Sequence, residues 1–240
     1  MATNRRNPTE ARRAERVYGA QLRRLADQVG RIIRDVNPTD PAQASMLNDM
    51  LRKYAETLEP WARRIAMQMI QDVNAKDMAA WRKMGAELSS GLTREILLMP
   101  QDDIFKALAD VQVKLIQSIP IEAALRVNNL ALEAFESGSR AESIVQAIME
   151  SGGVAKSRAM TIARTEVART ASTLTQSRAQ GIGSEGYIWR TSRDGDVRPS
   201  HRAMRGKFVA WNDPPTLDNM QGHAGCLPNC RCWAEVVLPE

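Results

Sequence analysis

The chain has little cysteine, few aromatic residues and no long apolar run. All three cysteines of its 240 residues lie between 226 and 232, which excludes a disulfide framework spread over the fold. No apolar stretch approaches the ~20 residues that a bilayer-crossing helix needs, so no membrane role is expected. The opening run MATNRRNPTEARRAERV holds no apolar core of the kind a secretory signal carries. Aromatics make up 5% of the residues, and the five tryptophans outnumber tyrosine or phenylalanine. The cluster Gly181-Ile-Gly183-Ser184-Glu185-Gly186 follows a helical stretch instead of a strand. That is the wrong context for a dinucleotide-binding loop, and it reads as a helix cap and linker.

What is present is ordinary globular material, 43% hydrophobic and 25% charged, with twelve methionines that suit an adaptable helical core. Leu22, Leu25, Val29, Ile32, Ile33 and Val36 recur at helical steps, and Asn37-Pro38 is expected to end that helix. Pro41 suits the first turn of a second helix, with Met46, Leu47, Met50, Leu51, Tyr54 and Leu58 inward. Trp61, Ile65, Met69 and Val73 mark a third stripe, and Trp81, Met84, Leu88 and Leu92 a fourth. Ile104, Leu108, Val111 and Leu115 give a fifth, and Ile121, Leu125, Leu132 and Phe135 a sixth. Ser139 and Glu142 have capping-box spacing, Gly152-Gly153 is expected to break that helix, and a longer one follows from about Ala155 to Gln180.

After Gly181 the texture changes to Gly, Pro, Asp and Trp. Tyr187 to Thr191, Lys207 to Trp211 and Trp233 to Leu238 read as strands, Asp194-Gly195 as a turn, and Arg198 to Met204 as a short helix. The expected fold is mainly α, with a small C-terminal α+β metal-stabilised module. The divisions are a helical body and docking region over 1–150, a connecting helix and linker over 151–181, and the module over 182–240. The last is small for an independent core, so a metal would help it. Trp189 and Trp211 are expected in that core, with Trp233 beside the metal loop.

Charge is uneven. Residues 1–34 carry nine Lys/Arg against three Asp/Glu. Such an arm fits a polyanion, with Arg12, Arg13, Arg23 and Arg24 as contacts alongside Arg5, Arg6 and Arg16. On charge alone a solvated helix face is the simpler reading.

The densest chemistry is Cys226-Leu-Pro-Asn-Cys230-Arg-Cys232, with both histidines of the chain, His201 and His223, nearby in sequence. Zinc takes four Cys/His ligands in a tetrahedron. Cys226, Cys230 and Cys232 supply three, and either His201 or His223 the fourth. The competing readings are free buried thiols, a disulfide from Cys226 to Cys230 or Cys232, and a Cys–His nucleophile. Glu166 and Arg169 can pair at i,i+3, and Arg164, Glu166 and Arg169 are expected to dock the long helix onto the module.

The order of Ala163-Arg164-Thr165-Glu166-Val167-Ala168-Arg169, Tyr187-Ile188-Trp189-Arg190-Thr191, Asp194 to His201, Met204-Arg205-Gly206 and Asn229-Cys230-Arg231-Cys232 resembles the phage Mu F-like head-morphogenesis proteins. These are minor head proteins of tailed bacteriophages, and the resemblance covers about residues 155–238. It implies a structural protein and no enzyme, present in few copies, partnered with the portal protein and in some cases packaged DNA. Major capsid or scaffold proteins are further candidate partners. It implies a place in the virion, in the head interior or portal region, after assembly in the host cytoplasm. Many such proteins carry a Cys-x2-Cys pair where this chain has Arg198-Pro-Ser-His201, which favours His201 over His223 as a zinc ligand. Two other readings stand beside it: a nucleic-acid-binding protein using its basic arm, and a small hydrolase or transferase using His201 and Glu166.

Overall fold

The structure, a computed structural model, describes residues 7–36, 41–85, 90–137, 141–192 and 195–239. The expected stop at Asn37-Pro38, the Ser139 cap, Arg5, Arg6, Leu88 and Asp194 lie outside these residues, as do the side chains of Leu92 and Phe135. The described chain is mainly α, with a small strand cluster near its C-terminus. The helices are α1 (Arg12–Val36), α2 (Pro41–Thr57), α3 (Glu59–Gly85), α4 (Ser90–Leu98), α5 (Asp102–Ser137), α6 (Ala141–Gly181) and α7 (Pro199–Ala203). The strands are β1 (Gly186–Arg190), β2 (Phe208–Ala210), β3 (Thr216–Leu217), β4 (Met220–Gln221) and β5 (Trp233–Val236). Packing groups the chain into two compact units, one of residues 16–67 and 109–163, the other of 1–15, 68–108 and 164–240.

Among its described residues the first of these units holds helices and no strand. On α1, Tyr18, Leu22, Leu25, Ala26, Val29 and Ile33 are buried at 3% exposure or less. Tyr18 donates its hydroxyl to Gln112 Oε1 at 2.9 Å, so both buried polar groups of that contact are satisfied. The inner face of α2 is Ala44, Leu47, Leu51 and Ala55, followed by buried Leu58 just past its end, while Met46 and Met50 are turned outward at 51% and 44% exposure. Alanine at i,i+3/i+4 spacing therefore outcompetes methionine for the core, a correction to the expected stripe. On α5 the buried seam is Ala109, Gln112, Val113, Ile116, Ile119, Ala123 and Val127; Val111, Leu125 and Leu132 are exposed.

The fifth and sixth stripes belong to one helix, and the break expected at Gly152-Gly153 does not occur. Helix α5 runs through Pro120, although an internal proline costs about 3 kcal/mol. Ile116, Ile119, Ala123 and Ala124, all buried, flank the proline and hold the helix across it. Helix α6 runs through Gly152-Gly153. A Cβ on Gly152 would lie 3.1 Å from the Gly30 Cα, and one on Gly19 would lie 3.4 Å from the Ala163 Cβ. These pairs sit eleven residues apart on both helices, in opposite directions, so α1 and α6 close together along a seam of small residues. Gly152 serves that close approach, and tertiary packing overrides its poor helix propensity.

The other unit contains the strands. Its three-stranded antiparallel sheet has the order β2-β1-β5, and β3-β4 form a separate hairpin. The core gathers Tyr187, Trp189, Val209, Trp211, Ala224, Leu227, Cys230 and Cys232 with Trp81 of α3, Ile96 of α4 and Ala179 of α6. The strand module therefore does not close its core alone; helices complete it. Among these helices Asp77 and Arg178, at 0% and 2% exposure, form a buried ion pair. Thr175 donates to the other Asp77 oxygen at 2.6 Å, and Arg178 donates to Asn74 Oδ1 at 2.6 Å.

Two outcomes follow from this packing. Gly153 meets nothing within 4 Å of an added Cβ, so Gly153→Ala should raise stability by about 0.4–1 kcal/mol, and Gly152→Ala by less. Asp77→Ala strands a buried guanidinium and should cost about 3–5 kcal/mol. Urea midpoints of the three variants check both statements, and a Gly152→Ala protein at least as stable as Gly153→Ala would contradict the close seam.

Candidate metal centre

His201 is placed by a proline. Arg198, at φ −56° and ψ 146°, is extended as residues before proline must be, and Pro199 opens α7. The His201 imidazole is 1% exposed and meets the Trp189 ring edge-on, with centroids 5.8 Å apart. Its Nδ1 lies 3.3 Å from Cys230 Sγ and 3.6 Å from Cys232 Sγ. All three side chains are buried, and their donor atoms lie within 4.8 Å of one another.

The cysteines are held by helix α6. Arg169 donates from Nε and Nη2 to the Cys226 carbonyl, at 3.1 and 2.9 Å. Ser172 donates to the Ala224 carbonyl at 2.9 Å, and the Asn229 N–H donates to Thr165 Oγ1 at 3.0 Å. Gly225 has φ +90°, and a Cβ there would come within 3.2 Å of the Cys232 carbonyl and 3.5 Å of the Ala168 carbonyl. Only glycine combines that conformation with that closeness. Asn229, at φ 54°, turns the chain back so that Cys230 and Cys232 both reach His201.

The electrostatics suit a cation. The Cys230 thiol is pulled down, chiefly by a hydrogen bond from Cys232 and further by the Cys232 and Gly225 N–H groups. The same contact, with burial, pushes Cys232 up. The shared contact thus favours the thiolate at one sulfur and the thiol at the other, and a bound metal ion would need both deprotonated. A tetrahedral zinc, with bonds of about 2.3 Å to sulfur and 2.0–2.1 Å to nitrogen, sets its donors about 3.5–3.8 Å apart. The observed Nδ1–sulfur separations of 3.3 and 3.6 Å are close to that. The donor set fits zinc.

Cys226 and His223 stand apart from this trio. Cys226 is half-buried, and burial pushes its thiol up while Ser172 and Arg169 pull back. His223 has its Nδ1 3.3 Å from the Tyr187 hydroxyl and its Nε2 3.4 Å from Gln176 Nε2. It packs edge-on against Trp211 at 5.5 Å, and burial lowers its pKa. Its ring is a satisfied core group. Of the docking residues, Arg169 grips the cysteine loop and pairs with Glu166 at 2.9 Å, whereas Arg164 faces Glu15 at 3.7 Å. Thr165 joins the site from within the 163–169 run, without a role expected for it, and Ser172 from outside any motif; their i, i+4, i+7 spacing with Arg169 marks one helix face. Trp189, Trp211 and Trp233 are all buried, Trp189 against His201.

On the basic arm, Arg12 pairs with Glu10 at 2.9 Å. Arg13, Arg16, Arg24, Arg31 and Arg34 are exposed and Arg23 is half-buried. A groove of about 420 Å³ between α5 and α6 is lined by Ile119, Arg126, Ser151 and Arg158 among others, and includes neither His201 nor Glu166.

Residues 126–235 match the family described as Phage Mu protein F like protein. That segment begins within α5 and takes in α6, β1 to β4, most of β5, His201 and all three cysteines, and it overlaps the stretch whose motifs carry the resemblance to that family. An uncharacterized protein of Haemophilus influenzae is 33% identical over 132 residues, which is 55% of this chain and 29% of that protein. The matched stretch thus spans under a third of the relative's length. No solved structure matches the chain. No helix among the described residues is long and apolar enough to cross a membrane.

Protein purified without added metal should carry about one zinc per chain by elemental analysis. His201→Asn, Cys230→Ser and Cys232→Ser should lose it, and His223→Asn should keep it. Loss in the His223 variant, with the fold intact by circular dichroism, would move the ligand assignment.

Proposed function

We propose that the chain is a minor head protein of a tailed bacteriophage that acts at the portal by association and not by turnover. The observation that carries this reading is the Mu F-like match over the segment that contains the buried His201, Cys230 and Cys232. A site of that kind ties α7, the cysteine loop and β1 into one rigid piece, which is the work of a structural zinc. Cys226, the remaining thiol of the loop, lies outside the trio, so its thiol would have to move toward the other three to take the fourth position. Glu166 is occupied by Arg169, and His201 faces two sulfurs, so neither supports hydrolase or transferase chemistry.

The helical unit supports docking through polar contacts, because most apolar residues of α1 and α2 are buried in its own core, Val17, Met46 and Met50 excepted. At 100° per residue, Arg13, Arg16, Arg24, Arg31 and Arg34 fall within about an 80° arc of α1, opposite the buried residues. That stripe favours packaged DNA as a second partner, the portal protein being the first. The reading places the protein in the head interior or portal region.

Heads assembled with a chain lacking residues 1–60 should contain little of it, and normal incorporation would move docking elsewhere. Reversal of Arg13, Arg16, Arg24 and Arg31 to Glu should weaken DNA retention at low salt. It should also flatten the slope of log K against log salt by about 0.9 for each phosphate that is no longer neutralised. An unchanged slope would leave the stripe as a solvated face. Cys226→Ser should bind zinc more weakly than the parent while Cys230→Ser abolishes binding, and equal affinity would give the fourth position to water.

A further inference from the structure

The β3-β4 hairpin has no strand signature in the sequence, yet it carries a carboxylate to the far side of the His201 ring. Thr216 pairs with Gln221 and Leu217 with Met220, so Asp218-Asn219 is a two-residue connection. Both turn residues have positive φ, 53° and 63°, the conformation of a type I′ hairpin turn, which Asp and Asn tolerate better than other side chains. The hairpin is anchored: Leu217 and Met220 pack on the aromatic core, and the Gly222 N–H donates to the Pro215 carbonyl at 3.1 Å.

His201 presents its two nitrogens to different partners. Nδ1 faces the sulfurs, and Nε2 is a buried polar atom with no hydrogen bond. The Asp218 Oδ2 atom lies 3.7 Å from that Nε2. Arg198 Nε lies 3.4 Å from the same oxygen, and Arg198 Nη2 donates to the Pro228 carbonyl of the cysteine loop at 3.3 Å. A cation held between Nδ1 and the two sulfurs is across the ring from Asp218. The carboxylate is therefore not a ligand of that cation.

We propose that Asp218 is a positioning residue of the metal centre, accepting the Nε2–H of His201 so that the imidazole presents its Nδ1 lone pair to a divalent cation shared with Cys230 and Cys232. Arg198 aims the carboxylate and links the hairpin to the cysteine loop. The physical case is one of satisfaction. A buried Nε2–H without an acceptor is costly, and a neutral imidazole can ligate through one nitrogen only when the proton sits on the other. Ligating histidines commonly give that second N–H to a carboxylate, and removing such a partner typically lowers metal affinity 10–100-fold. This inference rests on the metal reading above, and the experiment separates the two.

The full chain is titrated with Zn²⁺ against a chromophoric chelator as wild type, Asp218→Leu and Asp218→Asn, with near-ultraviolet circular dichroism as the fold control. Asp218→Leu should keep one site but bind about 10–100-fold more weakly. Asp218→Asn keeps an oxygen acceptor and should stay within a few-fold of wild type. Imidazole ¹⁵N spectra of the zinc-loaded wild type should show His201 metal-bound at Nδ1 and protonated at Nε2. Wild-type affinity in Asp218→Leu, or ligation through Nε2, would overturn the role of Asp218 and leave the metal site standing. A wild-type protein that binds no zinc would overturn the metal reading and this inference with it. If Asp218→Leu fails the fold control, Asp218→Asn and the ¹⁵N spectra still decide, since weakened binding in the Asn variant contradicts an acceptor role.

Discussion

Thr165, Arg169 and Ser172 stand on successive turns of one face of α6, and all three bond to the backbone of the 224–229 stretch. The rest of the C-terminal unit depends on this grip. A loop with the sequence Cys226-Leu-Pro-Asn-Cys230 has few apolar atoms and no ladder of its own. Free in solution its backbone polar groups would be satisfied by water and its conformation would be one of many. Seated on α6, its carbonyls and one N–H are paired, and the entropy of ordering it is met by a helix that is already rigid. Once the loop is fixed, Cys230 and Cys232 have a defined direction, and β5, which begins at Trp233, has a defined register against β1. Trp233 then falls opposite Arg190, and Tyr187 opposite Val236.

The same logic explains why the strand module borrows its core. Five short strands and a five-residue helix cannot bury enough area to hold three tryptophans and a tyrosine. Trp81, Ile96 and Ala179 supply the missing side chains from α3, α4 and α6. The buried Asp77–Arg178 pair contributes specificity more than net stability, because its desolvation offsets most of its attraction. Its geometry is nonetheless demanding. The two terminal nitrogens of Arg178 are paired only when Asp77 and Asn74, one turn apart on α3, present both acceptors at once, and its Nε stays without a partner.

Much of this is legible in the residues, and what is not has physical reasons. The change of texture at Gly181 coincides with the end of α6; β2 and β5 lie within their expected stretches, and β1 begins and ends one residue earlier than expected. Helical periodicity locates the helices but misjudges their ends and faces. Pro120 and Gly152-Gly153 are local signals, and packing that involves residues far away in sequence overrides them. Met46 and Met50 resemble core because hydrophobicity scales rank them so, whereas Ala44 and Ala55 fit where helices approach closely. The β3-β4 hairpin is hidden because its strands are two residues long and show no alternation. Asp-Asn at 218–219 suits a type I′ turn, but nothing along the chain says that the turn lies over His201.

The two histidines make the same point about the site. In sequence they are equivalent candidates, twenty-two positions apart and both near the cysteines. In the fold each ring is buried and each packs against a tryptophan. What separates them is the company of their nitrogens. His223 has a phenol at one nitrogen and an amide at the other, so its polar atoms are matched by neutral groups and its ring has no need of a cation. His201 has two thiols at one nitrogen and, at the other, a carboxylate just beyond hydrogen-bond reach. A buried imidazole with sulfur at one nitrogen and no hydrogen bond at the other is unlike one matched on both sides, and that imbalance singles out His201 more strongly than its position in the chain does.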